Sequence, residues 1–350
     1  MATYVKFIVM LSFTATASES FPNELPAAPE GTFSIVVIPD TQHYYGRGTK
    51  REPESSDPIT NPTFDAWTAW IAANLDRQRV VFVTHVGDVI DKNEREQWTV
   101  ARRYMDRLHG KIPYGISVGN HDMASKSGDS SLFQEFFPES RFTQFSWYVG
   151  AFTGRPGHPD TSGNNANSVQ LFEALGLRFV ALHIECNAPD DVLAWTDSIL
   201  TKHSDRRAII TTHMGLGPLE KPKEPQDYLE APKGRMQWKK CHGNRGNTPQ
   251  QMWQKCFCKH RNLFMICNGD QSKTQAYHES TTGKHGNTVH ELLSDYGVHG
   301  LRVMRFVPEK HRIEVQTWDP IENELCESTT IVPQRAQHQF TLEYKMGSGV

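Results

Sequence analysis

Five short apolar runs in this sequence each end in side chains able to bind a metal ion. Asp40 and Gln42 follow Ser34 to Ile38. Asp88 and Asp91 follow Val80 to Val83. Asn120, His121 and Asp122 follow Gly115 to Val118. His213 follows Ala208 to Thr212, and Asp270 follows Leu263 to Cys267. A carboxylate shared between two divalent ions, flanked by further Asn, His and Asp donors, is how a two-metal hydrolytic centre is assembled. Gly87 and Gly119 immediately precede two of the donors and let the backbone come close to an ion. Any one of these Asp residues could equally be a turn or cap residue. Their recurrence after successive buried runs favours a shared centre.

The elements that must position them read as alternating strands and helices. Ser34 to Ile38 is an almost wholly apolar run closed by Pro39-Asp40, as expected of a buried strand opening into a loop. Phe64, Trp67, Trp70, Ile71 and Leu75 then fall at helical spacing between Phe64 and Arg77. The second strand, Val80 to Val83, precedes a helix from Glu94 to Leu108, and the third is Gly115 to Val118. Further along, Arg178 to Ile184 reads as a strand and Asp190 to His203 as a helix with Val192, Trp195, Ile199 and Leu200 on one stripe. The tail alternates as strands over 288–293, 301–307, 313–318 and 339–343. This is an α/β layer pattern, and sites in such sheets form beyond the carboxyl ends of the strands.

The order Asp-x-x, Gly87-Asp88-Val89-Ile90-Asp91, Gly119-Asn120-His121-Asp122 and a late Thr212-His213 resembles the calcineurin-like metallophosphoesterases over about residues 33–320. The resemblance implies a four-layer α/β/β/α sandwich of two mixed sheets. It implies hydrolysis of a small phosphate-ester substrate by metal-activated water. Asp40 would hold the first ion, Asp88 would bridge both, and Asn120 and His213 would hold the second. His121 would assist the leaving group or the charge on phosphorus, with Asp91 and Asp122 supporting it. The family's His two residues after the first Asp is Gln42 here, and its Gly-His-x-His is Gly269-Asp270-Gln271-Ser272. Asp270 can still ligate, Gln42 can do so through its carbonyl, and Ser272 is a poor donor for a divalent ion. The metal set becomes Asp40, Gln42, Asp88, Asn120, His213 and Asp270. It is rich in oxygen, so two Mn2+ or Mg2+ ions are favoured, with iron or Zn2+ as alternatives. A less positive centre favours phosphodiesters over phosphomonoesters. Two other readings stay open: a non-catalytic relative using the fold as a phosphate-ligand binding module, and a single-metal hydrolase.

Other polar residues near these motifs read differently. His43 is one residue out of register with Gln42 and points away on an extended segment. His85 reads as a structural histidine, and His183 and Glu185 straddle a strand end. Cys241, Cys256 and Cys258, with His242 and His260 nearby, leave three arrangements open: unpaired buried thiols, a disulfide from Cys241 to Cys256 or Cys258, or a zinc site, although C-x-C is not the usual spacing.

The 350 residues are 37% apolar and 22% charged, so a sizeable core can form. A net charge of −3 gives no indication of nucleic-acid binding, and no apolar run approaches the roughly 18 residues of a membrane span. Residues 32–345 read as a single domain with an insertion at about 214–262. That insertion carries ten Lys and Arg against four Asp and Glu, a net +6 that leaves −9 for the rest. It reads either as a basic flap near His213 or as a solvated loop. At the N-terminus, Lys6, the apolar Phe7 to Phe13 and the small-residue run ending Ala15-Thr16-Ala17 have the form of a signal peptide over 1–17, followed by a linker over 18–31. That implies a secreted or periplasmic protein. A frayed terminus or an apolar first strand in a cytoplasmic protein is the other reading.

Overall fold

The computed structural model describes residues 24–124, 126–154, 159–224, 226–270 and 274–347. The expected signal peptide, part of the linker, and Gln271 and Ser272 lie outside the described residues. In chain order the first strands are β1 (Phe33–Ile38), β2 (Val80–His85), β3 (Tyr114–Ile116), β4 (Tyr148–Ala151), β5 (Ser168–Ala174), β6 (Leu177–His183), β7 (Arg207–Met214), β8 (Leu216–Pro218) and β9 (Lys233–Arg235). The rest are β10 (Leu263–Gly269), β11 (Ala276–Thr282), β12 (Thr288–Ser294), β13 (Leu301–Val307), β14 (Arg312–Asp319), β15 (Glu324–Leu325) and β16 (Phe340–Glu343).

Two seven-stranded sheets result. One runs β15-β14-β13-β1-β2-β3, with β16 also on β14; the other runs β11-β12-β10-β7-β6-β5-β4. Within the first, β1, β2 and β3 are parallel while β13 and β14 return antiparallel. Within the second, β6, β7, β10 and β12 are parallel and β5 and β11 antiparallel. Both sheets are therefore mixed.

Strand β1 shows why the layers form. All six of its residues are buried, and apart from Ser34 both of its faces are apolar. Val36 and Ile38 pack with Val83 against Phe64, Trp67, Ile71 and Trp98 of the helices Pro62–Ala73 and Arg95–Met105. Phe33, Ile35 and Val37 face the opposite way and meet Phe179, Ile209 and Phe264 of the second sheet. Stacked rings cross this inner layer, with Phe82 and Phe172 centroids 4.6 Å apart. On the far side, Val180, Leu182 and Ile210 pack against Val192, Leu193 and Leu200 of the helix Asp190–Lys202. Helix, sheet, sheet and helix follow one another: the expected α/β/β/α sandwich. Among the described residues no helix is long and apolar enough to cross a membrane.

The insertion at 214–262 is more ordered than a plain loop. Its first part forms the hairpin β8–β9, and Pro249–Lys255 is a helix opened by a capping box between Thr248 and Gln251. Met252 and Trp253 of that helix enter the outer core, so its last third belongs to the helical layer. Strands β4, β5 and β11 also lie outside the elements read from sequence. All six cysteines are buried free thiols, and no disulfide from Cys241 to Cys256 or Cys258 is present among the described residues.

Candidate metal centre

The parallel strands of both sheets deliver their carboxyl ends to one crevice. β1 leads to Asp40, β2 to Asp88, β3 to Asn120, β7 carries His213 near its end, and β10 leads to Asp270. Asp40, Asp88 and His213 are buried, and one donor atom from each lies within 4.8 Å of the others. His213 Nε2 stands 3.1 Å from Asp88 Oδ2 and 3.8 Å from both Asp40 Oδ2 and Asp270 Oδ1. Its other ring nitrogen, Nδ1, donates to the Val86 carbonyl at 3.0 Å, which fixes the tautomer and turns Nε2 toward the carboxylates.

The backbone is shaped to allow this approach. A Cβ on Gly119 would sit well under 3.0 Å from Asp88 N and Oδ1, and one on Gly269 equally close to Asp40 Oδ1. Asp88 and Asp270 both adopt left-handed backbone, φ 49° and 55°. For a non-glycine residue this costs about 1–2 kcal/mol, which Asp tolerates better than most.

Asp122 ties the second and third strand ends together. It is buried and accepts from Val89 N at 2.8 Å, Ile90 N at 3.2 Å and Gly119 N at 2.8 Å. Its place is beneath the centre, positioning the loops that carry Asp88 and Asn120. His121 donates its backbone N–H to Asp88 Oδ1 and its ring Nδ1–H to the Asp91 carbonyl at 2.7 Å. Asp91 Oδ1 pairs with Lys50 Nζ at 2.6 Å, and Lys50 also reaches to 3.5 Å from His121 Nδ1. Gln42 contacts the centre through its amide nitrogen, which donates to Asp88 Oδ2 at 2.6 Å.

The electrostatics of this crevice are those of a cation site. Burial pushes the Asp40 carboxyl well above its usual range, and the neighbouring Asp295 pushes it further. Burial also works against the charge on Asp88, yet His213 and His121 outweigh it and hold that carboxylate at about 2. His213 is raised in spite of its burial because Asp88 and Asp40 face it. Asp122 is pushed up to about 7 by burial and by Asp88. Asp40 Oδ1, Asn120 Oδ1 and Asp270 Oδ2 are all buried oxygens without a hydrogen-bond partner. Orphaned lone pairs on one Asn and two Asp are costly unless a cation meets them. These residues fit divalent ions.

The other residues singled out in the sequence fall outside the centre. His85 is buried, 3.1 Å from Thr41 Oγ1, and accepts from Gly87 N. His183 lies 2.8 Å from both Thr84 Oγ1 and Gln170 Oε1. His43 lines a cavity of about 350 Å3 beside Gln42, shared with Lys50, Asp91 and Asp295. Three charged residues near the centre were not singled out. Asp295 directly follows β12, which lies parallel to β10 and ends on the same side, so the strand-end rule that found Asp270 could have found it. Lys50 comes from a polar loop with no periodic signal. Lys240 lies in the basic insertion, and its Nζ stands 3.2 Å from Asp270 Oδ1.

Fold and crevice together form a four-layer α/β sandwich with a buried candidate metal centre at its strand ends. The calcineurin-like phosphoesterase family matches residues 33–243, more than half of the sequence, and the chain belongs to that family. It is 28% identical over 310 residues to the uncharacterized protein YvnB of Bacillus subtilis strain 168, covering 85% of this chain and 20% of that protein. The chain thus spans about a fifth of the length of the curated relative it matches. Among solved structures it is similar to a dimetal phosphatase from Danio rerio, at 12% identity, TM-score 0.46 and coverage of 89% of this chain and 99% of that one. It is also similar to a 5'-nucleotidase precursor from Thermus thermophilus, at 12% identity, TM-score 0.43 and coverage of 84% of this chain and 52% of that one.

Proposed function

We propose that this chain hydrolyses a small phosphate ester, with a preference for diesters. The observation that carries this reading is the buried trio Asp40, Asp88 and His213, with Asp270 3.8 Å from His213 Nε2 and unpartnered buried oxygens on Asn120 and Asp270. Asp40, Asp88, Asn120, His213 and Asp270 would hold the ions, and Mn2+ or Mg2+ suits so many oxygen donors. Bound divalent ions would supply Lewis acidity and an acidified water. His121, fixed by Asp91 and Asp88, is placed to hold or donate a proton at the leaving oxygen. Lys50 keeps the Asp91 carboxylate neutralised beside it.

The test is metal-free protein reconstituted in turn with Mn2+, Mg2+, Zn2+ and Fe2+, assayed on a chromogenic phosphodiester and the matching monoester. Turnover of the diester that needs added metal supports the reading. Metal uptake without turnover of either ester would leave a binding module. One observation favours a single-ion form: Gln42 offers its amide nitrogen to Asp88 and not its carbonyl to the centre. Elemental analysis separates one ion from two.

A further inference from the structure

The basic insertion ends in the outer helical layer. There Cys256 caps the helix Pro249–Lys255, His260 caps the short turn Phe257–Lys259, and Asp197 stands on the helix Asp190–Lys202. One donor atom from each lies within 4.8 Å of the other two, and His260 Nε2 is 3.1 Å from Asp197 Oδ1. Cys256 is 1% and His260 7% exposed, while the Asp197 side chain is 44% exposed.

We propose that Asp197, Cys256 and His260 form a second metal site, built for Zn2+ and separate from the centre at Asp40, with its remaining position open to solvent. The donor set decides the ion. Thiolate and imidazole select Zn2+ over Mn2+, Mg2+ or Ca2+, the ions suited to oxygen. With Zn–S near 2.3 Å and Zn–N near 2.0 Å, tetrahedral donors stand roughly 3.3–3.8 Å apart. The donors already stand within 4.8 Å of one another, so the span left to close is at most about 1.5 Å.

The same three residue types could instead suggest a cysteine nucleophile with its base and orienting acid. Burial rules that out. Cys256 is inaccessible to a substrate, and its thiol is pushed up to about 12. A metal changes the balance: the S–H bond breaks, the S–Zn bond forms, and the proton leaves to solvent, one per ion. His260 is already disposed to be neutral, since burial lowers it. On the open side, Asp197 borders a cavity of about 290 Å3 that Lys255 and Lys259 also line, so the remaining ligand is water or a small anion. The ion would fasten the end of the insertion to the helix Asp190–Lys202. That is the same insertion that places Lys240 against Asp270.

Cobalt reports this site alone. The Asp40 centre offers oxygen and one imidazole, whereas a thiolate–Co2+ pair gives a near-ultraviolet charge-transfer band. Reduced, metal-free protein titrated with Co2+ should develop that band to the final intensity of one thiolate–Co2+ pair per chain and lose it on adding Zn2+. Cys256→Ser should abolish it. Asp197→Asn, on a half-exposed side chain, should keep the circular dichroism spectrum and raise at least 10-fold the Co2+ concentration that half-saturates the band. A wild type with no band overturns the proposal, as does a band unchanged in both variants.

Discussion

His121 gives Nδ1 to the Asp91 carbonyl and its backbone N–H to Asp88, which leaves Nε2 as the ring atom for a substrate. His121→Ala should therefore keep its metal content and lose about 10²–10⁴ in kcat, the usual range for general acid–base help. Loss of metal in that variant, read by elemental analysis, would make His121 a ligand. Asp270 calls for a different test. Where the family has an imidazole, this chain places a third carboxylate, paired with Lys240 at 3.2 Å. Two divalent ions, three carboxylates and a hydroxide would sum to zero, and an imidazole in place of Asp270 would make the cluster positive. A positive cluster attracts a dianionic monoester more strongly than a monoanionic diester. The wild type should be most active with Mn2+. Asp270→His should shift the preference toward Zn2+ or iron and raise monoesterase relative to diesterase activity. A wild type most active with Zn2+ and indifferent to the exchange would place Asp270 outside the coordination shell.

Strand ends did most of the positioning, and they are what the sequence makes legible. Each of β1, β2, β3, β7 and β10 is a compact apolar run, because its two faces meet a helix layer and the other sheet. The polar residues at the end of such a run, or within four residues beyond it, reach the crevice. Hence order alone singles out Asp40, Asp88, Asn120, His213 and Asp270 as candidate ligands, of which Asp40, Asp88 and His213 stand as one buried cluster. What stayed hidden has physical reasons too. β11 is half exposed, so its Tyr, His, Glu, Ser and Thr residues give no apolar run. β4 has four residues and lies at a sheet edge. Lys50 and Lys240 reach the site on long side chains from irregular segments, whose path no periodicity encodes. The direction of the Gln42 amide is set by Asp88, forty-six residues away. The close crossing of the second and third strand ends gives its own prediction. Gly119→Ala would drive a Cβ into Asp88 N and Oδ1, against backbone that cannot yield. It should cut metal affinity at least 10-fold with the fold retained. Gly128→Ala, where φ is +70° and the clash is with His242, should disturb stability without touching metal uptake. Equal metal binding by wild type and Gly119→Ala, measured by calorimetry, would refute the crowding argument.

The molecule as a whole buries acids that its core does not fully pair, and that makes its stability depend on pH. Glu185 is the clearest case. It follows β6, accepts from Ser162 Oγ at 2.6 Å, and leaves Oε2 buried without a hydrogen-bond partner, 3.8 Å from His242 Nε2. Burial pushes its carboxyl up to about 8 from an ordinary 4.5. Between those two values the folded protein holds a proton that the unfolded chain has released. Folding stability from this group is therefore full below about pH 4.5 and falls as pH rises toward 8, by at most about 1.4 kcal/mol per pH unit. Buried histidines work the other way. His85 and His183 are lowered to about 3 and His242 to about 4 by burial, so they raise stability as pH climbs to 6.5 and add nothing above it. Asp122 and Glu291, each pushed to about 7, act like Glu185 but finish earlier. Above pH 7 Glu185 still titrates, and His213 of the metal-free centre, raised by the carboxylates that face it, works in the same direction. Glu185→Gln removes the first contribution and leaves the second. Urea unfolding in the presence of a chelator, taken from pH 6 to 8.5, should show wild-type stability declining more steeply than that of Glu185→Gln. The two curves should draw apart most steeply from pH 6 to 7, more slowly toward pH 8, and little beyond it. Parallel curves across that range would mean that Glu185 is ionised in the fold, with Arg245 or His242 compensating its charge.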